Sequence, residues 1–190
     1  MTIRVLVADD QAMIRGALAG LLDLERDIEV VAQAADGAQA LDELARLASA
    51  DAPAHASAPV DVAIIDVEMP RMDGITATQA IRSRFPGVRV LIVTTFGRPG
   101  YLQRALDAGA TGFTVKDAPV ETLAEGVRTV AAGGRAIDQN LALEALAAGS
   151  SPLTDREADV LREVEGGGTI ADIAHSLHLS QGTVRNHVSS

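Results

Sequence analysis

Five short apolar runs constrain this chain most: Ile3 to Ala8, Ile28 to Ala32, Val60 to Ile65, Val88 to Val93 and Thr111 to Val115. Each is rich in Val or Ile, too short for a helix and apolar without alternation, the pattern of a strand buried on both faces. Between them apolar residues fall at helical spacing, as in Ile14, Leu18, Leu21 and Leu22, in Leu41, Leu44 and Leu47, and in Val120, Leu123, Val127 and Val130. Such alternation predicts an α/β fold in which a five-stranded parallel sheet carries helices on both faces and ends near Ala132.

Three stretches break the pattern. Ala48 to Pro59 is built from Ala, Ser, Pro, Asp and a single His55, and reads as an exposed loop. Gly133-Gly134, a helical piece over about 138–148 and Gly149-Ser150-Ser151-Pro152 read as a linker. Beyond it, Thr154 to Glu165, Thr169 to Leu177 and Ser180 onward are helical in period, separated first by Gly166-Gly167-Gly168. The predicted organisation is therefore an α/β domain over 1–132, a linker over 133–152 and a small all-α domain over 153–190.

Composition excludes several classes of function. The chain has no Cys, so disulfides, thiolate metal sites and cysteine nucleophiles are out. A net charge of −10 argues against coating nucleic acid by charge alone, though not against a local reading element. The aromatics are only Phe85, Phe96, Tyr101 and Phe113, too few to favour flavin or single-strand stacking. No apolar stretch approaches the roughly 18 residues of a membrane span and the N-terminus does not read as a signal peptide. A cytoplasmic protein without membrane contact is the expectation.

In a parallel α/β sheet ligands collect at the carboxyl ends of the strands. Asp9 and Asp10 follow the first strand and Asp66 the third, in the run Ile64-Ile65-Asp66-Val67-Glu68-Met69-Pro70. Taken singly, an Asp closing a strand is most often a turn or cap residue. Adjacent strand ends lie about 5 Å apart, so these three converge, and their repulsion calls for a cation. All-oxygen ligation by few protein groups suits Mg2+. Thr94 and Lys116 end the fourth and fifth strands and add a hydroxyl and an ammonium to the same rim. Lys116 stands out because all fifteen other basic residues are Arg. Together these groups suit the positioning and neutralisation of a phosphoryl group.

The ordered set Val7-Ala8-Asp9-Asp10, Asp66 before Met69-Pro70, Asp73-Gly74, Thr94 and Lys116 resembles the receiver domain of two-component response regulators. The resemblance covers residues 1 to about 132 and implies a flavodoxin-like five-stranded sheet. It implies that Asp66 accepts a phosphoryl group from a phosphohistidine on a sensor histidine kinase. Asp10 and Asp66 would bind Mg2+ directly, Asp9 through water and Glu68 by its backbone carbonyl. Thr94 would turn to a phosphoryl oxygen, Lys116 would pair with it, and Phe113 would be the aromatic that swings inward on activation. The long 48–59 loop and Asp117 after Lys116 depart from the commonest pattern of that domain.

Leu153-Thr154-Asp155-Arg156-Glu157, Ile173-Ala174 and Leu179-Ser180 with Thr183-Val184-Arg185-Asn186-His187 resemble the LuxR-type helix-turn-helix of the NarL/FixJ family. Thr154 with Glu157 reads as a capping box and Ser180 as the cap of the last helix. The resemblance makes that helix the one entering the major groove, with Gln181, Thr183, Arg185, Asn186 and His187 as DNA-contacting candidates. It implies a transcription regulator that binds promoter DNA and forms a homodimer on phosphorylation. Dimerisation is expected through the helices flanking the fifth strand or through the first and fifth helices, not through the acidic rim, with Arg128 and Glu121 pairing across a two-fold.

Six acidic residues against three Arg over 151–190 disfavour phosphate contact, and Ala171-Asp172 stand where the family often carries a base. The chain stops within the recognition element, so the domain reads as incomplete, with Val184 and Val188 lacking a following helix to pack on. Weak DNA binding and a frayed last helix are the expectation. His175 and His178, three apart without a carboxylate or Cys partner, read as surface residues and not as a metal site.

Two other functions share parts of this residue set. A haloacid-dehalogenase-like phosphatase also uses an aspartyl nucleophile, Mg2+, a hydroxyl and a Lys, but its nucleophile comes first, as Asp-x-Asp, whereas here the acidic pair Asp9-Asp10 precedes Asp66. A flavodoxin-like electron carrier lacks the aromatics to sandwich a flavin. The receiver is therefore expected to catalyse only its own phosphorylation and dephosphorylation. The segment Thr94 to Tyr101 resembles the branch of the family that regulates membrane-lipid desaturases.

Overall fold

A computed structural model describes residues 2–50, 58, 60–95, 99–138, 142, 160–161, 163–164, 167, 169–177, 182 and 184. The chain divides into two compact units, Met1–Ala147 and Ala148–Ser190. In the first, β1 (Ile3–Ala8), β2 (Ile28–Ala34), β3 (Val62–Asp66), β4 (Arg89–Thr94) and β5 (Gly112–Val115) alternate with α1 (Ala12–Leu22), α2 (Gly37–Ala50), α3 (Gly74–Arg84), α4 (Pro99–Asp107) and α5 (Val120–Ala131). A sixth strand, β6 (Ala136–Ile137), follows. All pairs are parallel and the order is β2-β1-β3-β4-β5-β6.

The strands are apolar on both faces because each face has its own helical cover. Val5, Val7, Ile64 and Val93 pack with Leu22 of α1 and with Leu123 and Val127 of α5. On the opposite face Leu6, Ala8, Ile65 and Ile92 pack with Leu44 of α2, Ile81 of α3 and Leu102 of α4. At about 25 cal/mol per Å² of apolar surface removed from water, these two layers dominate the stability of the unit.

Two sequence expectations need correction. The sheet has six strands and not five, because the chain turns back after α5 at Gly133 (φ 88°) and pairs Gly112 with Ala136 and Phe113 with Ile137. Two apolar residues leave no periodicity to read. The expected loop starting at Ala48 also begins later: α2 runs through Ala50, its last turn held by the Ser49 hydroxyl donating to the Ala45 carbonyl at 2.9 Å. Residues 51–57 lie outside the described residues, as does the expected helical piece over 138–148 apart from Asp138 and Ala142.

Arg128, expected to pair with Glu121 across a two-fold, is engaged within the chain. Its guanidinium donates to Asp27 Oδ1 at 2.6 Å and Oδ2 at 2.8 Å and to Glu25 Oε2 at 2.6 Å, tying α5 to the α1–β2 turn. These bonds hold the Asp27 carboxyl below its ordinary range and raise Arg128.

In the second unit the described residues include a helix α6 (Ile170–Ser176) and single helical positions, among them Val160, Leu161, Gly182 and Val184. Thr169 and Asp172 cap α6 reciprocally: the Thr169 amide donates to Asp172 Oδ2 at 3.0 Å and the Asp172 amide to Thr169 Oγ1 at 3.3 Å. Asp172, where a base was looked for, is thus a cap. Val184 is fully buried with Val160, Ile173 and Ala174, so residues that precede it in the chain cover it. Among the described residues no helix is long and apolar enough to cross a membrane.

Candidate functional site

The strand order reverses between β1 and β3, and the carboxyl ends of those two neighbours carry the acidic residues. Asp9 and Asp66 are buried, while Asp10 is exposed. Each of the three has a carboxylate oxygen within 4.8 Å of the others. Asp66 closes β3 opposite Val93 of β4, and Thr94, 2% exposed, follows one position on. Asp9 Oδ1 accepts the Gln11 amide at 2.9 Å, which turns the chain from β1 into α1.

Lys116 follows β5 and is positioned by its own amide, which donates to the Thr94 carbonyl at 2.7 Å. Its Nζ lies 2.7 Å from Asp9 Oδ2 and 3.0 Å from Asp66 Oδ2. Three carboxylates gather around one ammonium, with the Arg15 guanidinium donating to the Asp9 carbonyl at the edge of the site. Burial pushes the Asp66 carboxyl above the ordinary carboxylate range, with the Asp9 charge adding to it and Lys116 opposing. Burial alone would pull the Lys116 ammonium down, but its contacts with Asp9 and Asp66 outweigh it and raise it.

Asp9 Oδ2 and Lys116 Nζ are the buried side-chain atoms, among the described residues, that make no aligned hydrogen bond despite their ion pair. A clustered all-oxygen donor set in which carboxylates outnumber the ammonium between them fits a hard divalent cation such as Mg2+.

The structure thus brings together Asp9, Asp10, Asp66, Thr94 and Lys116. Glu68 lies two residues beyond Asp66 in the β3–α3 loop, between buried Val67 and Met69. Phe113 is fully buried in the layer under α4. The DNA-contacting candidates Gln181, Thr183, Arg185, Asn186 and His187, and the caps Thr154, Glu157 and Ser180, lie outside the described residues.

Sequence reasoning missed two links into the β3–α3 loop. Asp36 caps α2, its Oδ1 accepting the amides of Ala38 at 2.9 Å and Gln39 at 3.0 Å, and its Oδ2 pairs with the Arg71 guanidinium. Arg71 is held at φ 63°, a left-handed conformation unusual for a side-chain-bearing residue. The Asp36-x-x-Gln39 capping pattern was a readable signal for half of this link. The second is the Tyr101 hydroxyl, which donates to Glu68 Oε1 at 2.8 Å. No sequence pattern signals it.

Comparison with known proteins agrees with this geometry. Residues 5–128 match the response regulator receiver domain and residues 151–190 the bacterial regulatory proteins of the luxR family. The transcriptional regulatory protein DesR of Bacillus subtilis (strain 168) is 40% identical over 187 residues, spanning 98% of this chain and 87% of its own. An uncharacterized transcriptional regulatory protein of the same organism, YvfU, is likewise 40% identical over 187 residues, 98% of this chain and 88% of its own. Among solved structures, the response regulator ChrA of a heme-sensing two-component system is similar at a TM-score of 0.60 and 32% identity, over 99% of this chain and 87% of that one. The chain belongs to the two-component response regulators that join a receiver domain to a LuxR-type DNA-binding domain and regulate transcription.

Proposed function

We propose that Asp66 is the phospho-acceptor of this response regulator, charged by a sensor histidine kinase. The observation that carries the reading is the convergence of Asp9, Asp10, Asp66 and Lys116 where the strand order reverses. An Asp66 carboxylate oxygen attacks phosphorus as the P–N bond of the donor phosphohistidine breaks, the electron pair staying with the imidazole nitrogen, which takes up a proton. Mg2+ held by Asp9, Asp10, Asp66 and the Glu68 carbonyl would neutralise the phosphoryl oxygens. Lys116, already in contact with Asp66, holds the charge that grows there, and Thr94 supplies a hydroxyl from the neighbouring strand. Attack by water on phosphorus returns the carboxylate and inorganic phosphate, so the domain's chemistry is confined to its own phosphorylation and dephosphorylation.

In this reading Phe113 is the switch aromatic and promoter DNA is contacted through Gln181, Thr183, Arg185, Asn186 and His187, from a receiver over 1–132, a linker over 133–152 and a helix-turn-helix over 153–190. Phosphorylation promotes a homodimer, for which Met13 on α1, 85% exposed, offers apolar surface. A cytoplasmic location belongs to the same reading, since a histidine-kinase donor and promoter DNA would be met there.

Incubation with acetyl phosphate and Mg2+ followed by mass spectrometry tests the acceptor. A single base-labile phosphoryl adduct is expected on the wild type and none on Asp66→Asn. An adduct persisting in the variant overturns the assignment.

A further inference from the structure

The aromatic that the receiver resemblance assigns to switching, Phe113, has no polar atom and is fully buried. A different aromatic touches the acceptor loop directly. Tyr101, on α4, is 8% exposed and packed in the same layer as Leu102, Ala105 and Phe113. Its hydroxyl donates to Glu68 Oε1 at 2.8 Å across 33 positions of sequence. Glu68 stands two residues from Asp66, and its backbone is pinned by buried Val67 and Met69 on either side.

We propose that Tyr101 is a positioning residue for Glu68 and the group through which α4 senses whether the acidic site is filled. The inference rests on the reading of Asp66 as the acceptor. A hydrogen bond to a carboxylate is charge-assisted, and its strength follows the potential and the position of the acceptor. The charge of the acidic site two residues from Glu68 is altered when a divalent cation and a phosphoryl group enter, and a turn of the Glu68 peptide toward the site displaces the base of its side chain. The Tyr101 ring is locked by packing and cannot follow alone. A displaced Glu68 therefore weakens the bond or draws on α4, and the Tyr101 hydroxyl carries the state of Asp66 to that helix.

The chain contains one Tyr and no Trp, so tyrosine emission reports on Tyr101 and no other residue. A carboxylate acceptor quenches such emission. Mg2+ with beryllofluoride, a phosphoryl mimic, serves as the probe, and bound fluoride is followed separately by fluorine NMR. The expected result is a change in wild-type emission on adding both, loss of that change in Glu68→Gln, and loss of the hydrogen-exchange response of α4 in Tyr101→Phe while its bound-fluoride signal persists. Bound fluoride with unchanged wild-type emission, or an undiminished α4 response in Tyr101→Phe, overturns the inference and leaves Asp66 as acceptor. Absence of bound fluoride in the wild type overturns the acceptor reading and this inference with it.

Discussion

Gly74 opens α3 with its Cα pressed against the Asp66 carbonyl oxygen: a Cβ there would overlap that oxygen. The Gly74 amide donates to the Val67 carbonyl at 2.9 Å, and Asp73 caps the helix by accepting the Thr76 amide at 2.9 Å. α3 and β3 are thus set at a distance only glycine allows. Gly74→Ala is expected to lose about 2 kcal/mol or more in urea unfolding, because the obstacle is backbone and not a movable side chain. Gly16→Ala, in the exposed interior of α1 with nothing within 4 Å of the added methyl, is the control and should gain up to about 1 kcal/mol. Equal effects at the two positions would contradict this account.

Lys116→Met removes the cation between two buried carboxylates. Breaking a buried pair by deleting one partner costs about 3 kcal/mol, since the other charge stays behind. On the proposed reading, Mg2+ entering among the carboxylates would substitute for the lost ammonium, so the variant should gain more stability from millimolar Mg2+ than the wild type does. Urea unfolding with and without the ion measures this, and equal gains would show that Lys116 and the cation do not share a site.

How much of this was legible in the sequence follows from how each feature is encoded. β1 to β5 were readable because burial on both faces leaves an uninterrupted apolar run, and Asp9, Asp10, Asp66, Thr94 and Lys116 were readable because each is pinned to the end of such a run. β6 was not, since a two-residue strand has no period and is made by where Gly133 turns the chain. The end of α2 was misplaced because Ala48-Ser49-Ala50 continues a helix as readily as it opens a loop. Tyr101–Glu68 and Asp36–Arg71 join residues 33 and 35 positions apart, and such contacts exist only after folding.

Asp36 gives a pH signature away from the acidic cluster. Burial pushes its carboxyl up, but the Gln39 and Ala38 amides and the Arg71 guanidinium outweigh that and hold it below the ordinary range. A carboxyl whose folded value lies below its unfolded value, about 3.9, stabilises the fold above that pH and loses the contribution as pH falls through the lowered folded value. Asp36→Asn keeps an oxygen for the cap and loses the charge. It should therefore be less stable than the wild type by about 1–2 kcal/mol at neutral pH. The gap should close below about pH 4. Thermal melts across that range check the sign, and a gap that widens toward acid would refute it.

Ile137 tests whether β6 is a working member of the sheet. It pairs in register with Phe113 and packs against the buried layer that contains Phe113, while the neighbouring Ala136 amide donates to the Thr111 carbonyl at 3.2 Å. Without β6, the Gly112–Phe113 edge of β5 would face solvent with unpaired backbone groups. Ile137→Asp places a charge at a half-buried position and should cost about 1–2 kcal/mol of the apolar contribution. In the wild type the Ala136 amide should exchange with deuterium far more slowly than in an unfolded chain. In Ile137→Asp it should lose that protection, while the amides of β3, flanked by β1 and β4, keep theirs. An unprotected Ala136 amide in the wild type would mean that the working sheet ends at β5, as the sequence alone led one to expect.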